Sequence, residues 1–427
     1  MTRPRAVVVL TGSELVRGDR ADGNGAFLGR ELTRLGLEPA RFLVVGDRPA
    51  ELEAAVRESL AADLCVFSGG LGPTHDDRTI ETIARLAGRE LVVDESLRAE
   101  IEAVSRAIAE RLRRPYADFE AGVAKQASLP AGAVAVGLAG TAPAVVLEHD
   151  AGVAVALPGP PGELRRLWPR VLETEALRRL LARAAPPRHT LLRFFGPSES
   201  AVARALVEAG GEGPGLEVTV CAHDLEIRVD LFARDRGIDL ADELAGALRE
   251  RFAADVFAED ERAVAEIVLD LCRVRGLTLA TAESCTGGLV GARLTDVPGS
   301  SDVFLGSVVA YADGIKRSAL GVSAEVLQSH GAVSAETAAA MAAGARSALG
   351  ADAAVAVTGV AGPGGGSAAK PVGLVYISVE TPEGASTDEF RLPGDREAVR
   401  SRATALALHM LRRLLSQPVT PARESNG

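Results

Sequence analysis

The sequence predicts an α/β protein in three parts: an N-terminal doubly wound domain (residues 1–170), a small α+β domain (188–258) and a C-terminal α/β domain (262–417). In the first part, continuous apolar runs alternate with helical stretches, which indicates a sheet of parallel strands covered by helices on both faces. In the last part, strands also alternate with helices. In the middle part, 226–232 alternates apolar and charged residues as a half-exposed strand does. The proline-rich stretch 184–188 indicates a linker. A chain of 427 residues is long enough for two or three domains.

The apolar periodicity predicts each element in turn. In the first part we expect strands at 6–10, 41–45, 64–67, 144–147 and 153–157, and helices at 26–35, 50–60, 79–86 and 97–113. In the middle part we expect strands at 191–195, 216–220 and 226–232, and helices at 199–209 and 237–251. In the last part we expect strands at 277–281, 303–311, 353–358 and 372–380, and helices at 262–275, 286–294, 335–349 and 396–415.

Composition excludes several classes of protein. A net charge of −11, an aromatic content of 4% and the lack of a nucleic-acid-binding motif argue against direct nucleic-acid binding. No apolar stretch reaches the roughly 18 residues that a membrane span needs. The N-terminus, 1–10, indicates a buried first strand rather than a signal peptide, so we expect a cytoplasmic protein. The cysteines lack metal-site spacing and are expected to be small buried hydrophobes: Cys65, Cys221, Cys272 and Cys285.

A strand-to-helix junction in the last part carries hydroxyls and glycines. The run 281–288 includes Ser284, Thr286 and Gly287, at a position where free N–H groups and the helix dipole favour an anion. The glycines allow a ligand to approach the backbone closely. The alternative is that Ser284 or Thr286 only caps the helix.

A serine and a lysine further along predict nucleophilic chemistry. Ser301 follows Pro-Gly-Ser, Tyr311 ends the next predicted strand, and Lys316 comes just after that strand. A lysine amine activates a serine when it is neutral, which burial or a neighbouring cation favours. The alternative is that the paired serines only form a turn.

A glycine-rich loop and two arginines complete the motifs of this part. The loop 359–366, with Gly359 and Gly362, follows the strand that ends at Thr358, and loops at the carboxyl ends of strands bind ligands in open α/β sheets. Arg396 and Arg400 open the last helix and predict phosphate contacts. A disordered loop and a solvated helix face are the alternatives.

Together these motifs resemble the C-terminal domain of the CinA (competence/damage-inducible) family, which is similar to nicotinamide-nucleotide amidase, a Ser/Lys hydrolase. The resemblance rests on 282–288, 297–301, 331–334, 358–366, 370–373 and 394–396. It implies deamidation of nicotinamide mononucleotide to nicotinate mononucleotide and ammonia, in pyridine-nucleotide salvage and without a cofactor. The implied catalytic residues are Ser301 as nucleophile, Lys316 as general base, Tyr311 as assisting hydroxyl and Thr358 as orienting group. The implied substrate-binding residues are Ser284, Thr286, Gly287, Gly359, Gly362, Arg396 and Arg400.

The first part contains a second glycine-rich run, 68–79, after a predicted strand. Glycine backbones there suit a phosphate, and Asp76 and Asp77 suit a divalent metal that bridges to phosphate oxygens. The alternative is an Asp-rich turn that caps the following helix. Loops at the ends of other strands converge on one pocket in a doubly wound sheet.

This part is similar to the N-terminal domain of the CinA family, which is related to molybdopterin-binding domains. The resemblance implies metal-dependent hydrolysis of ADP-ribose, with Mg²⁺, Mn²⁺ or Co²⁺. The implied nucleotide- and phosphate-binding residues are Glu14, Asn24, Gly69, Gly70, Gly72, Thr74, Thr141 and Glu163. The middle part predicts no catalytic group, which favours a spacer or dimerisation role, and the resemblance implies a homodimer.

Two hypotheses from other classes remain open at this point. One is an interaction protein of the competence or DNA-damage response, as the family name suggests. The other is a molybdopterin-binding protein without amidase activity. Ammonia release from nicotinamide mononucleotide distinguishes the amidase from both.

Overall fold

A computed structural model describes residues 3–417, so the first two residues of the predicted 1–170 domain lie outside the described residues. The chain forms two compact units, Met1–Pro187 and Arg188–Gly427. The division falls within the predicted linker. The second unit contains both the middle and the C-terminal parts, so their separation into two domains stays a prediction.

The first unit contains eight strands and eight helices among its described residues. The strands are β1 (Arg5–Thr11), β2 (Glu38–Val45), β3 (Leu64–Ser68), β4 (Leu91–Val93), β5 (Ser128–Pro130), β6 (Val134–Leu138), β7 (Pro143–His149) and β8 (Gly152–Leu157). The helices are α1 (Ser13–Arg17), α2 (Asn24–Arg34), α3 (Pro49–Ser59), α4 (Thr79–Leu86), α5 (Glu95–Leu112), α6 (Ala117–Gln126), α7 (Pro161–Leu172) and α8 (Glu175–Leu181).

The main sheet of this unit has the strand order β2-β1-β3-β8-β7-β6. Strands β2, β1, β3 and β8 are parallel, but β7 and β6 run antiparallel to their neighbours. The expectation of a fully parallel sheet is therefore wrong at this edge. Its cause is local: His149 pairs with Gly152, and a two-residue connection can join only antiparallel strands.

Both faces of the sheet are covered, as the apolar runs predicted. Along β1, Ala6, Val8 and Leu10 pack into one hydrophobic cluster, and Val7 and Val9 pack into another on the opposite face. Successive side chains of a strand point to opposite faces, so a strand buried on both sides has no polar alternation.

The second unit begins with the middle part, which is an antiparallel sheet with two helices. Its strands are β9 (Arg188–Phe195), β10 (Leu216–His223), β11 (Glu226–Ala233) and β12 (Val256–Ala258), in the order β10-β11-β9-β12, and its helices are α9 (Glu199–Glu208) and α10 (Gly237–Arg251). Both helices pack into one core with the sheet, through Val202 and Leu244 among others.

The C-terminal part has a five-stranded mixed sheet. Its strands are β13 (Leu279–Glu283), β14 (Phe304–Val309), β15 (Ala353–Gly359), β16 (Leu374–Thr381) and β17 (Gly384–Arg391). Its helices are α11 (Val264–Arg275), α12 (Leu289–Thr295), α13 (Asp313–Leu320), α14 (Ala324–His330), α15 (Ala335–Leu349) and α16 (Arg396–Leu415), with a 3-10 turn at Ser300–Asp302.

The direction of three strands decides where the functional groups collect. Strands β14, β13 and β15 are parallel neighbours, so they end at the same edge of the sheet, at Val309, Glu283 and Gly359. Strands β16 and β17 complete the sheet in antiparallel fashion. The Ser300–Asp302 turn precedes β14 and therefore lies at the opposite edge.

Two expectations on composition can be checked within residues 3–417. No helix there is both long and apolar enough to cross a bilayer. All four cysteines are free, and Cys65, Cys272 and Cys285 are buried as expected, whereas Cys221 is exposed.

Candidate active site

A cleft of about 200 Å³ opens at the edge where the parallel strands end. Its lining includes Ser284, Tyr311, Lys316, Thr358 and Gly359, each of which the sequence predicted as a site residue. The lining consists of Ser284, Cys285, Tyr311, Asp313, Lys316, Ala332, Val333, Thr358, Gly359, Ala361 and Arg396. A hydroxyl and an amine thus face one small space.

Lys316 is buried, with only 1% of its side chain exposed. It lies in the first half of α13, and its Nζ donates to the Tyr311 carbonyl and to Asp313 Oδ1, both at 3.3 Å. A buried amine with one exposed carboxylate partner is an unusual arrangement, because lysine seldom lies fully buried in proteins. Lys316 therefore has the enclosed setting that the predicted base requires.

Thr358 and Tyr311 border the same cleft in different ways. Thr358 is fully buried at the end of β15, and its hydroxyl donates to the Ala332 carbonyl at 2.6 Å, which leaves its oxygen free to accept. Tyr311 is 60% exposed, and its hydroxyl accepts a hydrogen bond of 2.9 Å from Arg396. Thr358 is fixed by the fold, whereas Tyr311 is held at the rim.

The turn that carries Ser284 is held by a buried carboxylate that the sequence analysis missed. Glu283, the last residue of β13, is fully buried. Its two oxygens accept from the backbone N–H groups of Gly288, Val290 and Gly291 at 2.8–3.1 Å, and from the Ser307 hydroxyl at 3.2 Å. It therefore supplies the acceptors that the first N–H groups of α12 need.

This contact overturns the alternative interpretation of Ser284 and Thr286 as helix caps. The residue before α12 is Gly288, in a left-handed conformation (φ 98°), and it makes no side-chain cap. Ser284 is 8% exposed, and its hydroxyl makes no hydrogen bond to any residue in 3–417. A buried hydroxyl without a local partner is free to react with a ligand.

Cys285 borders the cleft next to Ser284 and is the other potential nucleophile. Burial raises the pKa of its thiol to about 12. Because the thiolate is the reactive form of cysteine, this thiol is inert at neutral pH. The serine hydroxyl is the better candidate.

The structure does not bring Ser301 to the cleft. Ser301 is exposed in the 3-10 turn before β14, whereas Tyr311 and Lys316 follow that strand. Six residues of β14 lie between the two edges, and a rise of about 3.3 Å per residue separates them by roughly 20 Å. Within one chain the structure therefore does not bring Ser301 and Lys316 together, so their pairing stays a prediction, and the serine pair lies in a turn as the alternative described.

A larger cavity of about 940 Å³ adjoins the cleft, since both are lined by Ala361 and Arg396. Arg396 donates to the Gly362 carbonyl (2.8 Å) as well as to Tyr311. Arg400 donates to the carbonyls of Cys285 and Thr286 at 3.2 and 2.8 Å. Neither arginine belongs to a merely solvated helix face, because both hold loops of the site in place.

Three predicted substrate-binding residues do not line either space. Thr286 is fully buried, and its hydroxyl oxygen has no hydrogen-bond partner among the described residues. Gly287 is exposed with φ 61°, a left-handed conformation that favours glycine. Gly362 accepts the bond from Arg396 through its carbonyl. Their predicted contact with substrate stays a prediction, and in the structure these residues shape the loops around the site.

The first unit has a separate pocket of about 410 Å³ at the ends of its parallel strands. It brings together nine of the ten residues predicted there: Glu14, Asn24, Gly69, Gly70, Gly72, Asp76, Asp77, Thr141 and Glu163. Thr74 is outside the lining and contacts Asp76 and Asp77 through its hydroxyl. Gly69 adopts φ 100°, and a Cβ there would lie 2.6 Å from the Thr11 carbonyl oxygen, so only glycine fits.

Asn24 is the buried polar group of this pocket. Its amide nitrogen donates to Ser68 Oγ at 2.9 Å and to the Gly159 carbonyl at 2.8 Å. Its Oδ1 is buried without a partner among residues 3–417. An unpaired buried acceptor is costly in free energy, which favours a donor from a ligand.

The carboxylates of this pocket do not form a complete metal site by themselves. Within the described residues no three His, Cys, Asp or Glu side chains stand together as metal ligands. Asp76 and Asp77 also do not cap α4, whose preceding residue Arg78 makes no side-chain cap. Two carboxylates nonetheless suit Mg²⁺, which keeps several waters and takes further ligands from substrate phosphates.

Comparisons with known proteins agree with this two-unit arrangement. A model of the CinA C-terminal domain matches residues 261–415, and a model described as a probable molybdopterin binding domain matches residues 7–179. Fold and pockets therefore define a two-part α/β protein that joins a molybdopterin-binding-type domain to a CinA C-terminal domain.

The relatives extend this likeness to nearly the whole chain. A CinA-like protein of Mycolicibacterium gilvum is 44% identical over 422 residues, which cover 96% of this chain and 99% of that protein. A CinA-like protein of Mycobacterium tuberculosis is 42% identical over 422 residues, with 96% and 97% covered. The chain belongs to the CinA-like family. Among solved structures, the competence/damage inducible protein CihA from Agrobacterium tumefaciens is 42% identical and covers 38% of this chain and 100% of its own, with a TM-score of 0.35.

Proposed function

We propose that the C-terminal part hydrolyses the carboxamide of nicotinamide mononucleotide, with Ser284 as the nucleophile and Lys316 as the general base. The observation that carries the proposal is the shared cleft, in which an unbonded buried hydroxyl and a buried amine face the same space. The choice of substrate rests on the resemblance to nicotinamide-nucleotide amidase. The two adjoining spaces suit it, because the small cleft fits a pyridine carboxamide and the larger cavity fits a ribose phosphate.

The reaction follows from these groups. Lys316 takes the proton of Ser284 as the hydroxyl oxygen attacks the amide carbon. The N–H groups of Cys285 and Thr286 donate to no backbone carbonyl within the described chain and lie against the Cys285 thiol, so they would stabilise the oxyanion only on turning from that sulfur to the substrate. Lys316 then passes the proton to the leaving nitrogen, ammonia departs, and water hydrolyses the acyl-serine. The Thr358 oxygen and Tyr311 orient the amide.

Ammonia release by the full chain tests this proposal. Ser284→Ala is expected to reduce kcat by a factor of about 10³ or more, because the covalent route is lost. Ser301→Ala is the matched control and is expected to keep the turnover of the unmodified chain, because Ser301 is exposed at the other edge of the sheet. A Ser284→Ala variant with normal turnover, together with an inactive Ser301→Ala variant, would refute the assignment.

A second candidate function belongs to the first unit: metal-dependent hydrolysis of ADP-ribose. The glycine loop and the unpaired Asn24 oxygen favour a phosphorylated ligand. Asp76 and Asp77 would hold Mg²⁺, Mn²⁺ or Co²⁺, which neutralises phosphate charge when bound. Release of AMP from ADP-ribose with each metal, lost in Asp77→Asn, tests it. Equal hydrolysis by both proteins would contradict it.

A further inference from the structure

The large cavity of the C-terminal part is lined by three arginines, and two of them are already engaged. Arg396 donates to the Gly362 carbonyl and the Tyr311 hydroxyl, and Arg400 donates to two carbonyls of the Ser284 turn. Both guanidinium groups therefore serve as braces. Each commits two of its five N–H donors to contacts that shape the cleft, so neither offers a full set of donors to a substrate phosphate.

The third arginine, Arg293, is different. It lies in α12, lines the cavity together with Leu289, and is exposed. It makes no hydrogen bond or ion pair with any described residue. A guanidinium carries five N–H donors in a planar fork that matches a phosphate group. Arg293 thus offers a full set of donors at the wall of the cavity.

The charge balance of the cavity points the same way. Its lining also carries Asp395 and Glu397, and Asp395 accepts from the Ala398 N–H as the cap of α16. These two carboxylates offset two of the three arginine charges. The remaining positive charge favours an anionic ligand.

We infer that Arg293 is the phosphate-binding residue, so that the amidase selects a 5′-phosphorylated nucleotide over the riboside. Arg396 and Arg400 are positioning residues in this arrangement: Arg396 holds Tyr311, and Arg400 holds the turn that carries Ser284. The inference rests on the proposed amidase function for its substrate, but the anion site itself does not require turnover.

Two measurements test the role of Arg293. The first compares kcat/KM for nicotinamide mononucleotide and nicotinamide riboside. In Arg293→Ala the ratio of the two is expected to fall about tenfold to a hundredfold, because a charge-assisted hydrogen bond is lost only with the phosphorylated substrate. Arg293→Lys should retain part of the preference. Arg204→Ala, which removes an exposed and unpaired arginine of α9, is the matched control and should keep the full ratio.

The second measurement is calorimetric binding of ribose 5-phosphate to the full chain. The affinity is expected to fall at least tenfold in Arg293→Ala and to persist in Arg204→Ala. An unchanged preference and unchanged binding in Arg293→Ala, or no binding by the unmodified chain, would overturn the inference. If ribose 5-phosphate binds through Arg293 but no ammonia is released from the mononucleotide, the amidase proposal fails and the phosphate site stands.

Discussion

The two pockets of this protein lie at equivalent places, the carboxyl ends of parallel strands, yet they are built differently. Two glutamates show the difference: Glu283 directly precedes Ser284 of the C-terminal cleft, and Glu163 lines the N-terminal pocket. Glu283 is fully buried and accepts hydrogen bonds from three backbone N–H groups. Glu163 is half-buried, accepts no hydrogen bond within the described chain, and has a pKa raised by burial. The C-terminal pocket is braced by its own side chains, whereas the N-terminal pocket leaves the Asn24 Oδ1 and the Glu163 carboxylate without a hydrogen-bond partner among the described residues.

This difference matches the chemistry proposed for each pocket. A covalent step needs the nucleophile and base held within a fraction of an ångström before substrate arrives. Lys316, the proposed base, is buried, and so is Glu283, which holds the turn that carries the nucleophile. Asp76 and Asp77, on the exposed loop of the first unit, would be ordered by metal and phosphate instead.

The largest effect is expected for Lys316→Met, which removes the amine but keeps most of the side-chain volume. Loss of a general base should lower kcat by about 10² to 10⁴ while leaving the mononucleotide bound. Ammonia release and mononucleotide binding are measured on the same preparation. Arg317→Met, a change of the exposed neighbouring residue, is the control. Normal turnover in the Lys316 variant would mean that the buried amine is structural.

A smaller but distinctive effect is expected for Glu283→Gln. The amide has one acceptor oxygen and places its NH₂ against a backbone N–H, so at least one buried donor loses its partner. We expect the unit to lose about 1 to 3 kcal/mol of stability. We also expect kcat to fall about tenfold to a hundredfold with little change in KM, because the Ser284 turn shifts.

Urea unfolding and steady-state kinetics, measured well below the unfolding midpoint, separate these two effects of Glu283→Gln. A variant that is destabilised but turns over normally would show that Glu283 braces the fold and not the nucleophile. Glu163→Gln provides the comparison from the other pocket.

Helices and strands were predicted well from the sequence where their own residues carry a cap or a regular apolar spacing, and poorly where they do not. Helices α15 and α16 were predicted at their observed bounds, because Ser334 and Asp395 cap them and the apolar spacing between is regular. Strand β17 was missed, since it is mostly exposed and shows no apolar alternation. A polar edge strand is specified by its partner rather than by its own pattern.

In the candidate site, too, some residues could be predicted from the order of strands along the chain, whereas others depend on tertiary contacts. Ser284 and Tyr311 follow strands that end at one edge, and Thr358 lies near the end of a third strand there, so topology alone groups them. Ser301 precedes its strand, and that order was a visible signal against its pairing with Lys316. Glu283 gave no signal, because a glutamate at the end of an apolar strand usually faces solvent. Only the tertiary structure shows the N–H groups that it accepts from.

His409 of α16 is another buried ionisable group, and its protonation makes the stability of the second unit depend on pH. It is fully buried, stacks on Phe195 (3.8 Å between ring centroids) and bonds Glu226 at 2.9 Å. Burial lowers the pKa of His409 from 6.5 to about 4. Between these values the unfolded chain binds a proton that the folded chain does not, so stability falls as pH falls from about 6.5 to about 4. The loss by pH 5 amounts to about 2 kcal/mol.

In His409→Gln, which keeps an N–H donor for Glu226, this part of the pH dependence should vanish. Urea unfolding of the second unit at pH 7.5 and pH 5 measures it. His223→Gln, at an exposed position of β10, should retain the full loss. An unchanged pH dependence in the His409 variant would show that His409 is not the group responsible.

The smallest effect is expected for Glu163→Gln. Its change in stability should be zero or positive, whereas Glu283→Gln in the other pocket should lose stability. An acid whose folded pKa is raised binds a proton more readily when folded, so its charged form at neutral pH works against folding. The neutral amide removes this opposition and breaks no hydrogen bond, so stability at pH 7 should stay equal or rise slightly. The gain should disappear below the usual pKa of a glutamate, where the carboxyl is already protonated. Urea unfolding of the first unit at pH 7 and pH 4 measures the change, and a clear loss of stability at pH 7 would show that Glu163 braces its pocket as Glu283 does.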